Sequence, residues 1–178
     1  MAAVIDQQFT TGTAGGEQIH YTAAVEDEIG QGFTPSVSDT IPYIDLDLKK
    51  NGSPVGNLSI QIMTDNAGVP SGTVITNGTS QTIDASTISG ASFSYVRFTF
   101  STPPSVVAGT RYHITTLATY ANSTVNNVLW DLDNTTGNYH SWLVSTTWTN
   151  QATKTGHFQQ YRSNNPITGG MLAFFNSL

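Results

Sequence analysis

The sequence predicts an all-β chain: a single jelly-roll-like antiparallel β-sandwich with long loops and a short N-terminal arm. Three observations carry that prediction. Apolar and polar residues alternate at period two in several short runs, turn-forming residues separate the runs, and no stretch carries a helical period. Composition agrees. Ser, Thr and Asn make up roughly a third of the chain, whereas charged residues are 10% against an average of about 25%. Such a surface, with many β-branched residues, suits strands rather than helices. Aromatic residues at 10% argue against disorder.

At 178 residues the chain is long enough for one domain with a real core. Residues 1–16 are polar and glycine-containing and read as an N-terminal arm with a short strand at Val4–Phe9; residues 17–178 form the sandwich. Gln18–Ala24 reads as a strand, and the acidic trio Glu26, Asp27, Glu28 as a solvated edge. In IPYIDLDLKKNGSPVGNLSIQIMTDNAGVPSG, Ile44, Leu46 and Leu48 alternate with polar residues, and so do Leu58, Ile60 and Ile62. The turn-rich KNGSPVGN between them predicts a hairpin with one oily and one wet face, and DNAGVPSG predicts a further turn.

Thr73–Asp84 reads as one or two weak strands broken at Asn77-Gly78, and Asp84–Ile88 as a single capped helical turn. Ser92–Phe100 is a strong strand with Val96, Phe98 and Phe100 on one face and Tyr95, Arg97 and Thr99 on the other. Pro103-Pro104 marks a loop, since consecutive prolines do not sit inside a sheet. Strands follow at Arg111–Leu117, His157–Arg162 and Thr168–Asn176, with residues 118–156 read as short strands carrying long loops.

Net charge is −6, and the six Lys and Arg residues form no run beyond Lys49-Lys50. A groove that tracks phosphates needs clustered cations, so no nucleic-acid partner is expected. The chain lacks cysteine, which excludes disulfides, thiolate catalysis and Cys-based zinc sites. No apolar run approaches the roughly 20 residues that span a bilayer, so no membrane partner is expected. The first residues show neither a basic n-region nor an apolar h-region, so no signal peptide is expected.

DLDLKKNGSPVGNLSIQIMTDNAGVPSG, SYVRFTFSTPPSVVAGTRYHITTL and the terminal MLAFF, with the lead-in GQGFTPSVSDTI, resemble the choice-of-anchor type, galactose-binding-like β-sandwich domain. Such domains occur in bacterial surface proteins and phage structural proteins. The match covers most of residues 28–117 plus the last strand; residues 118–156 depart from it, and no binding residues carry over. The resemblance implies a sandwich without catalytic apparatus, and no cofactor. With no leader or anchor in view, it implies a phage virion protein made in the host cytoplasm, a capsid decoration or head-fibre protein first and a tail protein next. Capsid or other virion proteins are then the partners, with a homo-oligomer, a trimer, as the expected assembly. The alternative is an extracellular carbohydrate-binding module that takes glycans.

Chemistry-bearing residues are few. No G-x-S-x-G occurs. His20, His113, His140 and His157 are scattered without H-x-x-x-H spacing, and each reads as a polar strand residue rather than a ligand. Asp45 and Asp47 share one strand face about 7 Å apart, but Lys49 extends the row as a counter-charge and the pair reads as a solvated face. Asp131-Leu132-Asp133-Asn134-Thr135-Thr136-Gly137 begins like a calcium loop, yet Gly stands seventh and Trp142 twelfth, so it is no EF-hand. Asp131 and Asp133 stay as a weak calcium candidate beside a plain Asx-turn. Sequons at Asn51, Asn57, Asn77, Asn122 and Asn134 are expected by chance in so Asn- and Thr-rich a chain. The better signal is aromatic: Tyr139, Trp142 and Trp148 in polar surroundings form a candidate contact surface, with Trp130 assigned to the core.

Overall fold

The computed structural model describes residues 2–10, 12, 15–19, 26–120, 123–134, 139–144 and 146–164. The strand expected at Thr168–Asn176 and most of that expected at Gln18–Ala24 lie outside these residues. Sixteen strands are present among them. The first eight are β1 (Val4–Phe9), β2 (Gly15–Ile19), β3 (Glu26–Phe33), β4 (Asp39–Thr40), β5 (Tyr43–Asn51), β6 (Asn57–Asn66), β7 (Val69–Thr79) and β8 (Ile83–Asp84). A 3-10 turn at Ala85–Thr87 follows, capped by the Asp84 carboxylate, which accepts from the Ser86 amide. Then come β9 (Ser94–Thr99), β10 (Ser105–Val106), β11 (Tyr112–Ala118) and β12 (Asn127–Asp133). The last four are β13 (His140–Val144), β14 (Thr147–Asn150), β15 (Thr155–Gly156) and β16 (Phe158–Arg162).

These strands build two seven-stranded antiparallel sheets, the all-β sandwich expected. The first runs β1-β16-β5-β12-β15, with β2 on β12 and β9 on β5. The second runs β14-β13-β3-β11-β6-β7, with β8 on β6. A two-stranded β10-β4 pair lies beside them. Ile44, Leu46 and Leu48 of the first sheet and Leu58, Ile60, Ile62 and Ile114 of the second are all fully buried and share one core with Phe98 and Trp130. The expected N-terminal arm is pinned to this frame, since β1 pairs with β16 and β2 with β12.

One element departs from expectation for a clear reason. The runs around Leu46 and Ile60 do not form a hairpin: β5 pairs with β9, β16 and β12, whereas β6 pairs with β11, β7 and β8. A hairpin would put both oily faces on the same side of one sheet. The chain instead crosses from one sheet to the other, so that the two faces cover each other and bury apolar surface on both sides. Gly52 (φ +61°) and Gly56 (φ +138°) make the bends of that crossing. The next turn is tighter than DNAGVPSG suggested. Ala67 (φ 53°) and Gly68 (φ 97°) form a two-residue turn between paired Asn66 and Val69, so Pro70 already lies in β7.

The crossing supplies a stability test. A Cβ on Gly56 would lie 2.7 Å from the Tyr120 Cα and 2.8 Å from its amide nitrogen, whereas one on Gly72 (φ +80°) meets nothing within 4 Å. Gly56→Ala should therefore lower the unfolding free energy by about 1–3 kcal/mol more than Gly72→Ala, which carries only the left-handed backbone strain. Urea titrations of the two variants read this difference directly, and equal losses would mean that Tyr120 does not constrain the crossing.

Candidate functional site

The sheet containing β5 is forked. Along Leu48–Asn51, β5 pairs with β12, and along Ile44–Leu46 it pairs with β16. The segment formed by β15 and β16 enters where β5 and β12 part, and His157 sits at the apex between these two short strands. Its backbone joins both sides. The His157 carbonyl accepts from the Asp47 amide (3.2 Å), and the His157 amide donates to the Asp131 carbonyl (2.9 Å). The His157 carbonyl also accepts from Nε1 of buried Trp130 at 2.8 Å. Gly156 leaves room for that indole, since a Cβ there would stand 2.8 Å from the ring.

Side chains follow from this backbone. On the face away from the core, Asp47 of β5, Asp131 of β12 and His157 bring one carboxylate oxygen each and an imidazole nitrogen within 4.8 Å of one another. His157 Nδ1 lies 3.2 Å from Asp131 Oδ2, and Asp131 Oδ1 accepts from the Leu132 amide at 3.1 Å. Asp131 and His157 are each only 2% exposed. Burial raises the Asp47 carboxyl above its ordinary value, the Asp131 charge adds to the rise, and His157 opposes it. Tyr95 faces Asp47 across the β5–β9 ladder and is 41% exposed. Burial, then the Asp47 and Asp131 charges, push its phenol up to about 12, so the Tyr95 hydroxyl at this rim stays protonated.

One register step along, Asp45 faces Arg97. Arg97 grips it through two parallel bonds, Nε to Oδ1 at 2.9 Å and Nη2 to Oδ2 at 2.8 Å. The hydrogen bond to Asp45 raises the Arg97 pKa still further. The guanidinium lies 3.7 Å from the centre of the Tyr43 ring, and Tyr43 and Tyr161 stand 4.6 Å apart. Asp45 and Asp47 thus do share a face, as expected, but with opposite fates: the first is neutralised by Arg97, and the second turns toward Asp131 and His157.

The expected aromatic surface divides. Trp142 lies opposite Ile29 and packs against the core, with Lys154 Nζ 5.0 Å from its ring. Tyr139 and Trp148 lie on the outer face of the second sheet, where β3 contributes Gly30 and Gly32. A Cβ on Gly30 would stand 3.1 Å from the Trp148 ring, and one on Gly32 would stand 2.7 Å from the Tyr139 Cβ. Arg111 covers Tyr139 at 3.6 Å. Trp142 therefore shares no face with the other two. Trp130 is fully buried, as assigned. Asp133 packs against Gly12, where a Cβ would come within 2.4 Å of its carboxylate, while Asp131 gathers with Asp47 and His157.

Two other histidines are buried against carboxylates. His140 Nε2 lies 2.9 Å from Glu17 Oε2 and links β13 to β2 across the sandwich. His113 Nε2 lies 2.7 Å from Asp65 Oδ1, which also accepts from the Gly68 amide at 3.1 Å. A cleft of about 120 Å³ lined by Gln7, Phe9, Gln31, Thr155 and Phe158 is too small for a sugar ring, against roughly 300–1,000 Å³ for ligand pockets. No helix among the described residues is long and apolar enough to cross a membrane. Comparison with protein-family models, curated proteins and solved structures finds no match to this chain.

His113 gives a pH test. It is fully buried, and burial pushes the imidazole below its ordinary 6.5, with Arg111 acting in the same sense and Asp65 against it. The unfolded chain then takes up a proton before the folded one does, so stability falls as pH drops through about 6.5 and levels off below the folded value. The slope from this one group is at most about 1.4 kcal/mol per pH unit. His113→Gln should flatten the pH 7 to 5 dependence of urea midpoints relative to the parent. Identical slopes would show that His113 does not titrate on unfolding.

Proposed function

We propose that this chain is a non-enzymatic structural protein of a phage virion, a capsid decoration or head-fibre protein in the first instance and a tail protein next, working through protein–protein contacts. The observation that carries the proposal is the outer face of the first sheet. Tyr43, Tyr95, Tyr161 and Arg97 stand there on a rigid ladder, held by the two-pronged Arg97–Asp45 bond. Tyr and Arg dominate the binding energy of protein interfaces because they combine large contact area with a hydrogen-bonding tip. The likeness of residues 28–117 to choice-of-anchor sandwich domains supports the same assignment, as does a surface rich in Ser, Thr and Asn.

A second function is favoured by one specific feature. Two half-exposed tyrosines 4.6 Å apart beside an Asp–Arg pair also resemble a stacking platform with polar tips, which is what a glycan needs. Tyr43→Ala/Tyr161→Ala and Tyr95→Ala variants separate the two. On the structural proposal, the parent forms a closed oligomer by light scattering and attaches to capsids, attachment falls at least tenfold in the variants, and glycan arrays stay blank. A monomer that binds glycans through the same tyrosines would replace this proposal with the carbohydrate-binding one.

A further inference from the structure

We infer that Asp47, Asp131 and His157 form a binding site for a divalent transition-metal ion that fastens the fork of the first sheet. Three observations lead there. The three side chains come from three separate strands, yet their ligand atoms fall within 4.8 Å of one another. The group is held in place by its backbone, since the His157 amide and carbonyl are bonded to Asp131 and Asp47 themselves. Finally, His157 is buried without full satisfaction: Nδ1 points at the Asp131 carboxylate, and Nε2 finds no hydrogen-bond partner among the described residues. A cation on the Nδ1 side does not supply Nε2 with a partner, but it fixes the Nε2–H tautomer and offsets the repulsion between two facing carboxylates, one of them almost wholly buried.

Donor chemistry selects the ion. Calcium and magnesium take oxygen ligands, and a neutral imidazole is a poor substitute. Two carboxylates with one imidazole suit zinc, cobalt, nickel or manganese. Ligand atoms about 2.0–2.2 Å from such an ion stand roughly 3–3.6 Å apart. Asp131 and His157 already meet that spacing at 3.2 Å. Asp47, the more exposed member, has the freedom to close the remaining distance. Water then completes the shell on the solvent side, next to the Tyr95 rim.

The ion would bridge β5, β12 and the inserted β15–β16 segment, so it binds the folded chain and not the unfolded one. At a hundredfold excess over Kd this linkage should raise the melting temperature by roughly 5–10 °C. The test uses the full chain without an affinity tag, stripped with chelator and titrated with ZnCl2, CoCl2 and CaCl2. Calorimetry should give one zinc per chain, cobalt should develop visible absorption bands of a nitrogen- and oxygen-ligated ion, and calcium should bind at least tenfold more weakly. Asp47→Asn, at the most exposed of the three positions, should weaken zinc at least tenfold while the metal-free chain still melts cooperatively. His157→Gln should remove the cobalt bands; His113→Gln, at a buried histidine elsewhere, should leave them unchanged. Absence of stoichiometric binding, calcium binding as tightly as zinc, or zinc affinity unchanged in both Asp47→Asn and His157→Gln would each overturn the assignment. Failure here leaves the virion proposal standing, because that proposal rests on the tyrosines and not on the metal.

Discussion

The insertion of residues 155–162 between β5 and β12 is the constraint on which the first sheet depends. A sheet that forks must leave some backbone groups without a ladder partner at the point of parting, and buried amides and carbonyls without partners are costly. One residue resolves the conflict. The His157 carbonyl takes both the Asp47 amide and the Trp130 indole, and its amide takes the Asp131 carbonyl. Gly156 is required just before it because the Trp130 ring occupies the space of a Cβ. The largest buried side chain in the core and the apex of the fork are thus one hydrogen-bonded unit.

This unit explains why two acids and a histidine meet on the outer face. Strand alternation sends Ile44, Leu46 and Leu48 inward, which sends Asp45 and Asp47 outward. The inward Trp130 fixes Asp131 outward in the same way. Where β5 and β12 pair directly, one register fixes the spacing across the ladder, but at the fork the inserted His157 lies between Asp47 and Asp131 and adds its imidazole to theirs. Arg97 removes Asp45 from the competition by a two-pronged bond. The electrostatic character of the face is therefore a consequence of packing on its other side.

Much of the fold was legible in the sequence, and the limit of legibility is itself physical. Period-two alternation identified the strands at Ile44–Leu48, Leu58–Ile62 and Val96–Phe100 together with their buried faces. The flanking Leu129 and Leu132 gave Trp130 to the core, and a capping carboxylate marked the single turn at Asp84. Alternation says which side of a strand is oily; it does not say which strand lies beside it. The supposed hairpin became a crossing between sheets because apolar faces on the same side can be covered either way. The site suffered from the same gap. Asp47, Asp131 and His157 are far apart in the chain, and only the fork joins them; read locally, Asp131 pairs with Asp133 and His157 is a polar strand residue. Parity also divided the aromatic set, since Trp142 occupies an inward position of β13 while Trp148 pairs with outward Leu143.

Several buried polar groups surround the inserted segment, and their placement has a structural logic. The strands of the central core are tied by backbone ladders and by apolar contact, whose alternation rejects a one-residue slip but discriminates less against a two-residue one. Near the inserted segment the ties are directional. Gln31 Oε1 of the second sheet accepts from the Gly156 amide at 2.7 Å, and His140 of β13 meets Glu17 of β2 at 2.9 Å. A one-residue slip of residues 155–162 would break the Gln31 bond, put a Cβ into the Trp130 ring and expose Phe158 in place of Gln159. Apolar burial favours a collapsed sandwich, and these few polar bonds select the one insertion register that brings Asp47, Asp131 and His157 to one point.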